Sequence, residues 1–341
     1  MTLRDVPVNR CIVAIDVGGT EVKSALVYGN PKDARPVLSQ RRATPKLADP
    51  RATSAAVIDL VVELTEQLGR QSEHPLDALG LVVPGIVDDE AGVGVYSANL
   101  GWRDVPFGTI LAERTGLPVA FGHDVRAGGL AEARLGAARG LSDAVIAPIG
   151  TGIAAAIMLG GRMHAGGGLA GELGHMNVGH ELTCACGATG CLEVVASASA
   201  VARRYSTRSG RPVHGSAEVA EAMQRGDADA IKVWREAVEA LTTATAMLAT
   251  VLSPEAVIFG GGLAMARDLL LNPLRARLSE TLTFQRMPDL RIAQLGSDAG
   301  CLGAALLAMD MLEERTPRHT RTMARGRLYP RTKPEPFRGT H

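Results

Sequence analysis

The chain has 341 residues, of which 46% are hydrophobic, and its 36 Lys plus Arg balance 36 Asp plus Glu. That length favours two domains with separate apolar cores, and the zero formal net charge gives no bias toward nucleic acid or a membrane surface, so neither is expected as a partner. The polar start MTLRDVPVNR and the short apolar run CIVAI supply neither a signal-peptide core nor a membrane span, and a soluble cytoplasmic protein is expected.

The apolar run Cys11 to Ile15, the Gly18-Gly19 turn signal and the stretch Val22 to Tyr28 predict a hairpin with a glycine-rich tip. Helical spacing of Val57, Leu60, Val61, Leu64 and Leu68 predicts a helix over about 51–71, followed by buried strands at 79–83 and 117–121. A helix over 125–135 leads to a strand over 144–149 that runs into Gly150-Thr151-Gly152, a second copy of the first device and a sign of distant internal duplication. Helices over 197–204, 217–224 and 228–252 precede a strand at 256–259 that ends in Gly260-Gly261-Gly262. This alternation predicts an α/β fold. From about Thr316 the chain is basic and rich in Pro and Gly, the composition of a disordered extension.

Three glycine turns are candidates for holding phosphate. Asp16-Val17-Gly18-Gly19-Thr20 places a carboxylate at a strand end, then two residues that let backbone N–H groups approach an anion, then a hydroxyl. Gly150-Thr151-Gly152 repeats this, and Gly260-Gly261-Gly262 removes side chains between a strand and a helix. Each turn alone also reads as a tight structural turn.

The most specific local signal is His175 with Cys184, Cys186 and Cys191. One imidazole and three thiolates, with Gly187 and Gly190 between the cysteines, form a donor set for a tetrahedral, structural Zn²⁺. Cys11 and Cys301 lie in apolar segments and read as core. Glu172 and Glu193 flank the loop, so tying it would hold two carboxylates toward a common point. Asp124, in FGHDVRAGG, reads either as a helix N-cap or as a general base. Asn99, in YSANLGW, reads as a turn residue or as an amide matched to a pair of hydroxyls. Trp102 reads as packing.

Taken together, these motifs resemble the ROK family (repressors, open reading frames and sugar kinases) over about residues 12–312. The resemblance implies a two-domain actin-like ATPase (ribonuclease H-like) fold with a central cleft. It places a smaller N-terminal domain at 1–122, joined by the C-terminal helix 299–314, a larger domain at 123–298 carrying the zinc loop 175–193, and a basic tail at 315–341. It implies glucokinase-like phosphorylation of a hexose hydroxyl, at the 6-position, by ATP with Mg²⁺. Asp124 would be the general base. Asp16, Gly18, Gly19, Thr20, Gly150, Thr151, Gly152 and Gly260 to Gly262 would contact ATP, and Asn99, His123, Asp124, Glu172, His175 and Glu193 the sugar. A homo-oligomer, dimer or tetramer, is implied as well. The alternatives are an N-acetylhexosamine kinase and a sugar-binding regulator without turnover. The family's repressors carry a helix-turn-helix domain ahead of the first glycine motif, whereas fifteen residues precede Asp16 here. Where the family has Asn before the catalytic Asp, this chain has His123. An imidazole titrates near neutrality, so His123 is expected to tune sugar preference and to add a pH dependence.

Overall fold

The computed structural model describes residues 9–315; the expected basic tail lies outside them, apart from Arg315. The chain opens with a meander, β1 (Arg10–Val17), β2 (Glu21–Gly29) and β3 (Arg35–Ala43), followed by α1 (Pro50–Gln71) and β4 (Ala78–Val83). A small antiparallel sheet comes next, β5 (Ile86–Asp88), β6 (Val93–Tyr96) and β7 (Arg103–Val105), then α2 (Phe107–Thr115), β8 (Val119–His123) and α3 (Asp124–Leu135). The second half begins with another meander, β9 (Ala144–Pro148), β10 (Ala156–Leu159) and β11 (Arg162–His164). The cysteine loop leads into α4 (Glu193–Ala196), α5 (Ala198–Ser209), α6 (Ser216–Gln224) and α7 (Ala228–Leu252). The chain then runs through β12 (Ala256–Gly260), α8 (Gly261–Ala264), α9 (Asp268–Thr281), β13 (Asp289–Ile292) and α10 (Ala299–Arg315).

Two five-stranded sheets result, ordered β3-β2-β1-β4-β8 and β11-β10-β9-β12-β13. In each, the first three strands pair antiparallel and the last two join in parallel. One topology is therefore used twice, as the repeated strand-glycine-turn device predicts. β1 and β4 are buried along almost their whole length, as strands covered on both faces must be. Val57, Val61, Leu64 and Leu68 of α1 pack with Val13, Ile15, Leu79 and Leu81 on one face of the first sheet. The other face takes α10 and part of α3. A larger core gathers α5, α6, α7 and α9 around β9 and β12.

The helix after each fifth strand crosses to the other sheet. α10, after β13, packs on β1, β4 and β8, whereas α3, after β8, packs on β10 and β9 as well as along α10. Arg134 and Asp310 clamp the pair, Nη1 to Oδ1 and Nη2 to Oδ2 each at 2.7 Å. No helix among the described residues is long and apolar enough to cross a membrane.

Candidate functional site

The strand ends beside α3 converge on a cleft of about 220 Å³ lined by Asp16, Asp124, Gly260, Gly261 and Gly300. Asp16 is the penultimate residue of the buried β1 and is 8% exposed. Burial raises its pKa, and Lys23, with Nζ 3.5 Å from Oδ2, opposes that rise. Lys23 is the strand partner of Asp16 across the hairpin, so counting register back from the Gly18-Gly19 turn would have found it.

Each glycine turn is fixed by bonds from neighbouring segments. In the first, the Gly18 N–H donates to the Glu21 carbonyl at 2.9 Å and the Thr44 hydroxyl donates to the Gly18 carbonyl at 2.7 Å. In the second, the Gly150 N–H donates to the Gly152 carbonyl, and Ser199 Oγ donates to the Thr151 carbonyl at 2.6 Å. The third is sewn to the second, because the Ile149 N–H donates to Gly260 and the Leu263 N–H donates to Ile149. Gly261 has φ +75°, and a Cβ there would lie 2.5 Å from the Ile149 carbonyl oxygen, so only glycine permits this junction. Gly262, with nothing closer than 3.6 Å to such a Cβ, has no comparable steric demand. Thr20 and Thr151 are exposed at their turns.

Asp124 is the first residue of α3 and not its cap. The cap is His123, whose Nδ1 accepts the N–H groups of Val125 at 3.2 Å and Arg126 at 3.3 Å. That corrects the reading of Asp124 as an N-cap and also the pH dependence expected of His123. With Nδ1 used as an acceptor the imidazole is neutral, and burial, helped by the Arg126 charge, lowers its pKa to about 4. It does not titrate near neutrality. Asp124 does, since burial and then the charge of Asp16 raise it to about 7. Its side chain is 25% exposed, but that surface opens into the cleft, where water solvates a carboxylate poorly. A base whose pKa lies near neutral pH suits proton removal from an alcohol in concert with bond formation.

The polar residues expected around a sugar lie beside the phosphate turns. A Cβ on Gly19 would lie 3.9 Å from Asn99 Cβ, and one on Gly152 would lie 2.5 Å from Glu193 Oε2. Glu193 accepts the Ile153 N–H at 2.9 Å, which ties the second turn to α4. Trp102 is 1% exposed and packs edge-on against Phe107.

His175, Cys184, Cys186 and Cys191 present ligand atoms that all lie within 4.8 Å of one another. Cys184 Sγ is 3.8 Å from His175 Nδ1 and Cys186 Sγ is 3.7 Å from Cys191 Sγ. Zn–S bonds of about 2.3 Å in a tetrahedron place sulfurs about 3.8 Å apart, so the set fits such an ion. All three cysteines are free thiols. Short bridges, Asn177 to Cys191 and Thr183 to Thr189, draw the loop's ends together. His175 Nε2 points the other way, to 3.9 Å from Glu172 Oε2. One imidazole thus links the metal set to a carboxylate.

Some site residues carry no sequence motif. Glu132, 1% exposed, lines the cleft and accepts the Ala137 and Leu295 N–H groups at 2.7 and 2.8 Å. Gly300 of α10 makes room for Asp16, since a Cβ there would lie 2.3 Å from Oδ2. Met265, Ile292 and Ala293 give the cleft an apolar end.

Comparison with known proteins places this geometry. The chain is 32% identical over 320 residues to a glucokinase of Halalkalibacterium halodurans, covering 88% of this chain and 95% of that one. It is 30% identical over 308 residues to an N-acetylgalactosamine kinase of Shewanella sp., with 86% and 95% covered. The crystal structure of a ROK family glucokinase from Streptomyces griseus, solved with glucose and AMPPNP, superposes with a TM-score of 0.75 at 29% identity, covering 88% of this chain and 99% of that one. The fold is therefore the α/β, actin-like ATPase fold. The family signature matches residues 12–311, and the chain belongs to the ROK family.

Proposed function

We propose that the protein is an ATP-dependent hexose kinase, glucokinase-like, that transfers the γ-phosphoryl group of MgATP to a sugar hydroxyl at the 6-position. The observation that carries this reading is Asp124, a carboxylate whose pKa is raised to about 7 and which shares with Asp16 a cleft lined by Gly260 and Gly261 of the third glycine turn. Phosphoryl transfer needs positioning and charge stabilisation more than covalent help. Asp124 would accept the hydroxyl proton as the sugar oxygen bonds to phosphorus and the bond to the ADP oxygen breaks. The turns at Gly18 to Thr20 and Gly150 to Gly152 would hold the phosphates, with Gly260 to Gly262 on the adenosine side. The apolar end at Met265, Ile292 and Ala293 suits a flat base.

Asn99, His123, Glu172, His175 and Glu193 would hold the sugar beside Asp124. A structural Zn²⁺ on His175, Cys184, Cys186 and Cys191 would fix the loop from which Glu172, His175 and Glu193 extend, and the closed ligand set leaves no position for substrate. Residues 1–122 with helix 299–314 would move against 123–298 as two lobes about α3. A cytoplasmic homo-oligomer, dimer or tetramer, completes the proposal.

A second reading, an N-acetylhexosamine kinase, is favoured by the similarity to the Shewanella enzyme. The deciding experiment couples ADP release to a panel of aldohexoses and N-acetylhexosamines, with the phosphorylated position read by NMR. Turnover with glucose and not its N-acetyl derivatives supports the first reading and the reverse the second. Sugar binding with no turnover on any member would leave a sugar-binding regulator.

A further inference from the structure

Helix α3 separates two cavities. Val125, Gly128, Gly129 and Glu132 line the cleft that contains Asp124, whereas Arg126, Ala127, Leu130 and Arg134 line a second cavity of about 350 Å³. At about 100° per residue these two sets occupy opposite faces of the helix. The second cavity is walled by Asp89 and the end of β8 on one side, and by Arg162 and Met163 of β11 on the other. Its two walls thus belong to different sheets.

Charge distinguishes this cavity from a packing gap. Three guanidiniums and one carboxylate line it. The side chain of Arg126 is 8% exposed, and both its hydrogen bonds run from Nη2 to Asp89, at 3.1 and 2.9 Å. Its Nε and Nη1 donate to no other described residue. Arg134 is committed to Asp310. Arg162, exposed on the opposite wall, makes no ion pair among the described residues.

We propose that this cavity binds a phosphate oxyanion, free or as a phosphomonoester, between Arg162 and the uncommitted nitrogens of Arg126, and that its occupancy slows turnover. The planar forks of two arginines match the oxygens of such a group better than point charges do. The link to the reaction is Arg126, two residues beyond Asp124. The groups that act on Asp124 are Asp16, the Val125 N–H that donates to its Oδ1 at 2.7 Å, Arg126, Lys23 and the neutral His123 beside it. Of these, the Val125 N–H, then Arg126 and Lys23, favour the ionised form, and Arg126 is the larger of the two charges that do so. An anion paired with Arg126 cancels part of that support, so less Asp124 is ionised at neutral pH. A phosphomonoester is also the chemistry of the proposed product, and this part of the inference rests on the kinase reading.

Calorimetric titration of the full chain with inorganic phosphate, and separately with a hexose phosphate, tests binding without any need for activity. Phosphate should bind the wild type, Arg162→Ala should weaken it by about tenfold or more, and Arg162→Lys should recover part of the loss. The tighter of the two ligands identifies the source of the oxyanion. In turnover assays phosphate should inhibit without competing with ATP or sugar, less at alkaline pH, and not in Arg162→Ala. Equal phosphate affinity in wild type and Arg162→Ala, or inhibition purely competitive with ATP, overturns the proposal. A chain without kinase activity still answers the titration arm, so failure of the kinase reading is distinguishable from failure of this one.

Discussion

The carboxylates of Asp124 and Asp16 line one cleft, and the charge on Asp16 adds to burial in raising Asp124 to about 7. A carboxylic acid accepts a proton only once ionised, so kcat/KM, which follows the free enzyme, should climb as pH rises through about 7 and level off above it. Asp124→Asn should lower kcat by about two to four orders of magnitude with sugar affinity retained. A rate profile flat across neutral pH, or near-native turnover in the variant, would remove Asp124 from the role of base.

The same shift predicts a stability signature that needs no substrate. The folded pKa of Asp124 lies above its ordinary value of 3.8, so the folded state holds the proton more tightly than the unfolded chain. Its contribution is fully present below about 4 and is lost as pH climbs through about 7. Asn cannot ionise. Melting temperatures of wild type and Asp124→Asn should therefore converge in acid and separate progressively between about pH 4 and pH 7, with the variant the more stable of the two and the gap constant above that. Parallel melting curves at every pH would contradict the raised pKa.

Metal analysis of the purified protein should find one zinc per chain. Removing it with a chelator, or changing Cys184→Ser, should weaken sugar binding more than ATP binding, because Glu172, His175 and Glu193 all leave this loop. Glu193 also accepts the Ile153 N–H, so a smaller loss in ATP affinity should accompany it. A metal-free protein with native sugar affinity would separate the loop from the sugar site.

What was legible in the sequence was local. The β1–β2 hairpin, α1, α7 and the His175 to Cys191 donor set each fall within a short window, where periodicity or spacing carries the signal. The small sheet β5-β6-β7 was not legible, because strands of three or four residues are too short for alternation to register. The edge strand β3, half exposed along its length, gave little apolar signal either. Pairings distant in sequence were beyond reach: Arg126 with Asp89, Gly300 beneath Asp16, and the crossing of α3 and α10 onto each other's sheets. His123 shows the limit most clearly, since its residue type suggested titration whereas its place at the helix start made it a neutral acceptor.

Gly300 offers a test in which fold and function part company. It lies in α10, where Ala is the better helix former by about 1 kcal/mol, yet a Cβ there would meet Asp16 Oδ2 at 2.3 Å. The carboxylate must move, while the helix has no reason to break. Gly300→Ala should therefore keep its melting temperature within a few degrees and raise the KM for MgATP. Unchanged nucleotide kinetics would mean that the position of Asp16 does not govern binding.

His123 separates capping from sugar recognition. Its Nδ1 satisfies two of the N–H groups left open at the start of α3, and losing such a cap costs about 0.5 to 2 kcal/mol. His123→Ala should destabilise the protein by about that amount and should also misplace Asp124, the next residue. Asn is among the best N-cap residues, so His123→Asn should recover most of the stability. Because the imidazole is already neutral near pH 7, the exchange to Asn should leave the pH dependence of sugar binding unchanged. Ratios of kcat/KM among glucose, mannose, galactose and allose then isolate recognition: a shift in His123→Asn at native stability assigns the side chain to the sugar as well as to the cap. Identical ratios, together with a stability loss in His123→Ala alone, would confine His123 to holding the start of α3 in place.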